Sequence, residues 1–143
     1  MTIAIGSDHA GFQSKQFVIE YLNSKGIQFV DFGCESDNSV DYPEYAHKVA
    51  SAVERNELDF GILICGSGQG VNITANKHQG IRSALCWSKE IASLSRQHNN
   101  ANVLALPGRF LTIEEIIEII DVFLSTSFEG GRHQNRVNKI SCQ

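Results

Sequence analysis

The sequence predicts an α/β sandwich around a parallel sheet of about five strands, and three observations carry that prediction. Short apolar runs such as residues 60–65, FGILIC, recur along the chain and are too short for a helix that is apolar all round. Longer stretches with apolar residues at helical spacing lie between them. Glycine- or proline-bearing turns separate the two kinds of segment, and strict alternation of this sort builds a parallel sheet covered by helices. With 143 residues and 42% apolar content, the chain can bury one core. We therefore expect one domain over residues 1–143, with a C-terminal arm from about residue 128.

Residues 2–5 read as a first strand that stops at Gly6. A helix follows, with Phe12, Phe17, Val18, Tyr21 and Leu22 near helical spacing, and it ends around Lys25-Gly26. Residues 27–32 are a second strand, and residues 33–43 a polar loop. Pro43 suits the first turn of a helix that runs to about Arg55 and buries Tyr45, Ala46, Val49, Ala50 and Val53. A central strand then leads into three alternating glycines, Gly66, Gly68 and Gly70, and a helix from Val71 to Lys77. Residues 80–86 predict a fourth strand, and Ser88 caps a helix through about Arg96. Residues 102–106 are a fifth strand, closed by Pro107-Gly108-Arg109. Thr112 and Glu115 form a capping box for a helix with Ile113, Ile116, Ile117, Ile120 and Phe123/Leu124 on its face. After Gly130-Gly131 a short polar helix ends the chain.

A formal charge of −4 argues against a general nucleic-acid or membrane binder. No apolar run reaches membrane length and no targeting segment opens the sequence. Cys34, Cys65, Cys86 and Cys142 form no CxxC pair and no metal-ligand spacing, so a reduced cytoplasmic protein without a metal site or a cofactor is expected.

The strand–glycine turn–helix over residues 60–77 points backbone N–H groups and a helix dipole at one spot, which is how chains cradle phosphates and oxyanions. It is neither a Walker loop nor a GxGxxG fingerprint. Cys65 stands at its mouth, where such a field favours a thiolate; the alternative is a small core hydrophobe. Asp8-His9 at the first strand's end reads equally as site or helix cap. His98 sits where an ordinary C-terminal cap would, and His47 and His78 read as surface residues. Beyond Glu129 the chain carries Arg132, Arg136 and Lys139 and no acid. Arg132 and Arg136 share one helical face near its start, where two cations call for an anion between them or else are a solvated basic tail. Arg109 is a possible third arm. A thiol base, an oxyanion cradle, an Asp/His pair and an arginine clamp together suit proton transfer between C1 and C2 of a small phosphorylated sugar.

Five ordered segments, GSDHAGF (6–12), DYPEYA (41–46), GILICGSGQGVNITANK (61–77), LSRQHNNANVLALPGR (94–109) and FEGGRHQNRV (128–137), resemble type B ribose-5-phosphate isomerase. That family also holds allose-6-phosphate isomerases and galactose-6-phosphate isomerase subunits. The resemblance implies a three-layer α/β/α Rossmann-like fold. It also implies a metal-free, cofactor-free isomerase and a homodimer or tetramer with sites shared between subunits. It makes Cys65 the base with Ser67 as hydroxyl neighbour, and His98, assisted by Asp8, the ring opener. Backbone N–H groups over Gly66, Gly68, Gln69, Gly70 and Val71 would hold the enediolate. His9, Arg132 and Arg136 would grip phosphate, with Arg109 reaching in, Asn99 on sugar hydroxyls and Tyr42 lining the pocket. One branch of the family places a glutamate base just after the third glycine; Val71 stands there, so the thiol must act. The rival readings are an isomerase of allose 6-phosphate or galactose 6-phosphate, and a non-catalytic phosphate- or nucleotide-binding module.

Overall fold

The structure, a computed structural model, describes residues 1–142. In chain order the elements are β1 (Thr2–Ser7), α1 (Phe12–Ser24), β2 (Gln28–Asp31), α2 (Tyr42–Glu54), β3 (Phe60–Cys65) and α3 (Gln69–Ala75). There follow β4 (Ser83–Leu85), α4 (Lys89–Asn99), β5 (Val103–Pro107), α5 (Ile113–Ser125) and α6 (Arg132–Val137). The five strands are all parallel, in the order β2-β1-β3-β5-β4.

Side-chain alternation divides the core in two. Ile3, Ile5, Ile62, Ile64, Leu104 and Leu106 face one way, into a layer filled by α1, α4 and α5. Ala4, Leu63, Cys65, Val103 and Ala105 face the other, against α2 and α3. The second face is built from small residues, and α2 lies close upon it. A Cβ on Gly6 would come within 2.9 Å of the Val49 side chain, and one on Gly61 within 2.8 Å. Gly6 is therefore inside β1 and not its end, because only glycine admits Val49 there.

Other boundaries also move. β4 is three residues long, not seven, because its approach is tied by side chains: the Asn102 amide oxygen accepts the Arg82 N–H and the Asn76 oxygen accepts the Ser83 N–H, both at 2.8 Å. On α1 the inward face is Lys15, Val18 and Leu22, while Phe17 is 50% exposed. Lys15 is wholly buried, its Nζ donating at 2.7 Å to both Asp31 carboxylate oxygens. Tyr45 is only partly buried, and on α5 Ile119 takes the buried place expected of Ile117. The Thr112–Glu115 capping box and the Ser88 cap form as expected.

Chain crossovers leave β1 toward β2 on one face and return toward β3 on the other. The carboxyl ends of β1 and β3 thus flank the crevice where ligands of open parallel sheets sit.

Candidate functional site

Asp8 and His9 follow β1 directly, and Cys65 ends β3 beside them; the Asp8 N–H donates to the Ile64 carbonyl at 3.3 Å. Asp8 is buried and does act as a cap, one oxygen accepting the Gly11 N–H at 3.1 Å, while its other oxygen makes no such bond. The His9 ring is oriented by the Val40 N–H, which donates to its Nδ1 at 3.2 Å. Gly11 lets this turn lie against β3, since a Cβ there would stand 2.4 Å from the Ile64 oxygen.

Cys65 is 5% exposed, at the root of the glycine loop. The loop is held from below by the Gly108 N–H on the Cys65 carbonyl and the Arg109 N–H on the Gly66 carbonyl, at 2.8 and 3.1 Å. Gly68 has φ +73° and packs against the backbone between Leu106 and Pro107, which excludes a side chain there. Ser67 is exposed and its Oγ accepts the Gln69 N–H at 3.3 Å. α3 starts at Gln69, two residues ahead of the expected Val71, and ends at Ala75 and not Lys77, so Gln69, Gly70 and Val71 form its first turn, where N–H groups have no intrahelical acceptor. Tyr42, the first residue of α2, lays its ring against Gly70, where a Cβ would meet it at 2.6 Å. The Arg109 guanidinium lies over Gly66, 3.2 Å from where a Cβ would be. Arg109 thus stands on the rim of its own chain's loop.

His98 and Asn99 are elsewhere. A helix after a parallel strand runs back toward the strands' amino ends, and α4 does so. Its last turn reaches Asn100, whose carbonyl accepts the Arg82 Nε–H at 2.9 Å just ahead of β4. Cys65 pairs with Pro107 at the other end of β5. A strand rises about 3.3 Å per residue, so His98 and Cys65 of one chain are separated by the length of β5, at least about 13 Å. Arg96 fixes the end of α4: buried, it donates to the Ala101 carbonyl at 2.6 Å and to the Asn100 side chain at 2.9 Å, and it lies over the Phe60 and Phe123 rings.

The arm joins this second pole. The Glu129 N–H donates to the Gln97 carbonyl at 3.1 Å, and the His133 ring stacks on His98 with centroids 4.4 Å apart. Burial, with His98 and Arg132 adding their charge, holds His133 below the ordinary imidazole range, so it is neutral near pH 7. Arg132 and Arg136 project from exposed positions on α6, and neither has an acidic partner among the described residues. Among those residues, His98, Glu129 and His133 are the one group of three whose ligand atoms lie within 4.8 Å of one another. The two imidazole planes are only 14° from parallel, so their lone pairs cannot converge on a single ion unless one ring turns.

Each chain thus carries its candidate residues in two groups: a thiol, a carboxylate and the glycine loop at the carboxyl pole, and an imidazole with two guanidiniums at the amino pole. His133 and Arg96 escape a sequence reading, since one looks like a spacer between arginines and the other like a solvated helix end. The separation had a signal in the direction of α4, which follows from its place after a parallel strand. All four cysteines are free, and no described helix is long and apolar enough to cross a membrane.

The family model described as Ribose/Galactose Isomerase matches residues 3–140. The ribose-5-phosphate isomerase B of Escherichia coli K12 is 47% identical over 139 residues, covering 97% of this chain and 93% of that one. The crystal structure of a ribose 5-phosphate isomerase from Thermotoga maritima superposes with a TM-score of 0.97 at 54% identity, over 98% of this chain and 97% of that one. A crystal structure of ribose-5-phosphate isomerase B from Mycoplasma genitalium with bound ribulose-5-phosphate gives 0.93 at 49% identity, over 97% and 93%.

Proposed function

We propose that this chain, which belongs to the ribose/galactose isomerase family, interconverts ribose 5-phosphate and ribulose 5-phosphate through an enediolate. The observation that carries the reading is the relative with bound ribulose-5-phosphate, nearly half identical and alike over almost the whole chain. The carboxyl pole supplies chemistry to match. Cys65 takes the C2 proton and returns it to C1, while loop N–H groups from Gly66 to Val71 face the enediolate oxygen as charge develops there.

The site is completed by a second copy of the chain. His98 of the partner subunit opens the furanose ring with help from the free oxygen of Asp8. The stack of His98 on His133 supports Arg132 and Arg136 arriving from that same partner, to clamp the phosphate with His9. Asn99 and Tyr42 serve the sugar hydroxyls and the pocket wall, with Ser67 beside the thiol and Arg109 reaching over the loop. An apolar groove along the edge strand β4, lined by Ile81, Leu85, Trp87, Leu94 and Ile140 and reaching Asn99, supports a homodimer joined near this pole. The enzyme works in the cytoplasm on a small phosphorylated sugar and uses no metal.

The test is conversion of ribose 5-phosphate to ribulose 5-phosphate by the purified protein in excess EDTA. Conversion at an undiminished rate is expected. Turnover of allose 6-phosphate or galactose 6-phosphate but not of ribose 5-phosphate would overturn the substrate, and loss of turnover in EDTA the metal-free mechanism.

A further inference from the structure

On the α2–α3 side of the sheet, three side chains form an unbroken line between α2 and the turn that follows α3. The Gly80 N–H donates to Glu54 Oε1 at 2.8 Å, and Glu54 Oε2 lies 2.9 Å from His78 Nδ1. His78 Nε2 in turn lies 2.8 Å from His47 Nδ1. His47 and Glu54 are two turns apart on one face of α2, so the turn bearing His78 is bracketed by a single helix. Glu54 therefore turns both carboxylate oxygens to this turn, one to the Gly80 N–H and one to His78.

This arrangement fixes a tautomer. An ionised Glu54 accepts the proton of His78 Nδ1, which leaves His78 Nε2 as a lone pair aimed at His47. In the unliganded chain His47 Nδ1–H donates to that lone pair; when the His47 proton moves to Nε2, both facing nitrogens become free to ligate, with a carboxylate behind one of them. A carboxylate–histidine pair behind a ligating nitrogen is the support that metal-bound histidines use. The rings are tilted by 51°, unlike the nearly parallel pair at His98 and His133, so both lone pairs can meet at a point. Zinc–nitrogen bonds near 2.0–2.1 Å at a tetrahedral angle hold two nitrogens about 3.3 Å apart. From 2.8 Å that asks for roughly half an ångström, within reach of the exposed His47 side chain. Two nearby cations are engaged elsewhere: Lys48 Nζ lies over the Tyr45 ring, and Arg55 is 4.0 Å from Glu57.

We propose that His47 and His78, with Glu54 orienting the latter, are the protein ligands of a surface site for a borderline divalent transition ion such as Zn²⁺, water completing the coordination. The ion staples α2 to the entry of β4 and takes no part in turnover.

The test is titration of the full-length protein with zinc chloride, followed by calorimetry and by thermal unfolding, in a Cys142→Ser background that removes the exposed thiol. One ion per chain and a rise in Tm are expected. His47→Gln and His78→Gln should each abolish both effects while isomerase activity without zinc stays as in the parent. Glu54→Gln keeps both ligands and should weaken binding by about 10–100-fold. Undiminished binding and the same Tm rise in both histidine variants, or no binding by the parent, would overturn the proposal. Loss of binding in Glu129→Gln alone would assign the ion to the His98 pole instead. Unchanged affinity in Glu54→Gln would remove the orienting role.

Discussion

Two cysteines at opposite ends of β-strand chemistry show how setting decides what a thiol does. Cys65 opens onto a loop whose next five residues are glycine or polar, and in the proposed reaction its thiol is the base. Replacing it with alanine should lower kcat by at least about 10²-fold, the scale of a positioned proton-transfer group, with Tm and binding of a substrate-like phosphate ester retained. Turnover near the parent value in Cys65→Ala would take the base away from this residue. Cys86 lies in the core instead, and burial pushes its thiol up to about 11 from an ordinary 9.0. The unfolded chain therefore releases this proton first as pH rises. The contribution to stability is whole below pH 9 and is lost on the way to pH 11, by roughly 2 kcal/mol there. Urea unfolding at pH 8 and pH 11 should show that extra loss in the parent and not in Cys86→Ala; parallel losses would mean the thiol titrates normally.

At the scale of elements, close approach matters more than propensity. Gly11 lies against the Ile64 carbonyl, one residue before the thiol, and the obstacle is backbone. Gly11→Ala should destabilise by about 1–3 kcal/mol and reduce turnover as well, because relief means shifting the end of β3. Gly26→Ala is the control: φ is +68° but nothing lies within 4 Å, so it should cost about 1 kcal/mol and leave kcat alone. Equal kinetic effects would show that Gly11 does not seat the catalytic strand. The same contrast explains what was legible in the sequence. Strand–helix alternation, the Thr112–Glu115 box and the glycine loop are local signals and all form, although α3 takes in Gln69 and Gly70 and β4 is shorter than its apolar run. Lys15 is not legible, since its burial depends on Asp31 at the end of β2, and Gly6 reads as a strand end because Val49, which requires glycine there, lies on α2. The residue types of the site could be read one by one, and so could the basic arm. The line from Glu54 through His78 to His47 could not, because its middle member comes from the turn after α3, although His47 and Glu54 share a face of α2.

For the whole molecule, the central fact is that two poles made by one sheet cannot meet within one chain. Parallel strands send every βα loop to one end and every αβ turn to the other, so Cys65 and His98 are divided by the length of β5. The proposed two-fold dimer would resolve this by setting the carboxyl pole of each chain against the amino pole of its partner. Two kinds of dead chain should then rescue each other. Cys65→Ala homodimers lack the base in both sites, and His98→Gln homodimers lack the ring opener in both. Co-expression of the two variants produces mixed dimers in which one site carries both lesions and the other carries neither. With random pairing half the dimers are mixed and each has one intact site, so the mixture should recover about a quarter of the parent activity. Size-exclusion of the mixture would verify that chains are paired while the assay is run. If paired chains recover nothing, each site draws Cys65 and His98 from a single chain. The α4 end would then have to leave its Arg96 anchor to reach the thiol, and the fixed sheet described above would not be the working state.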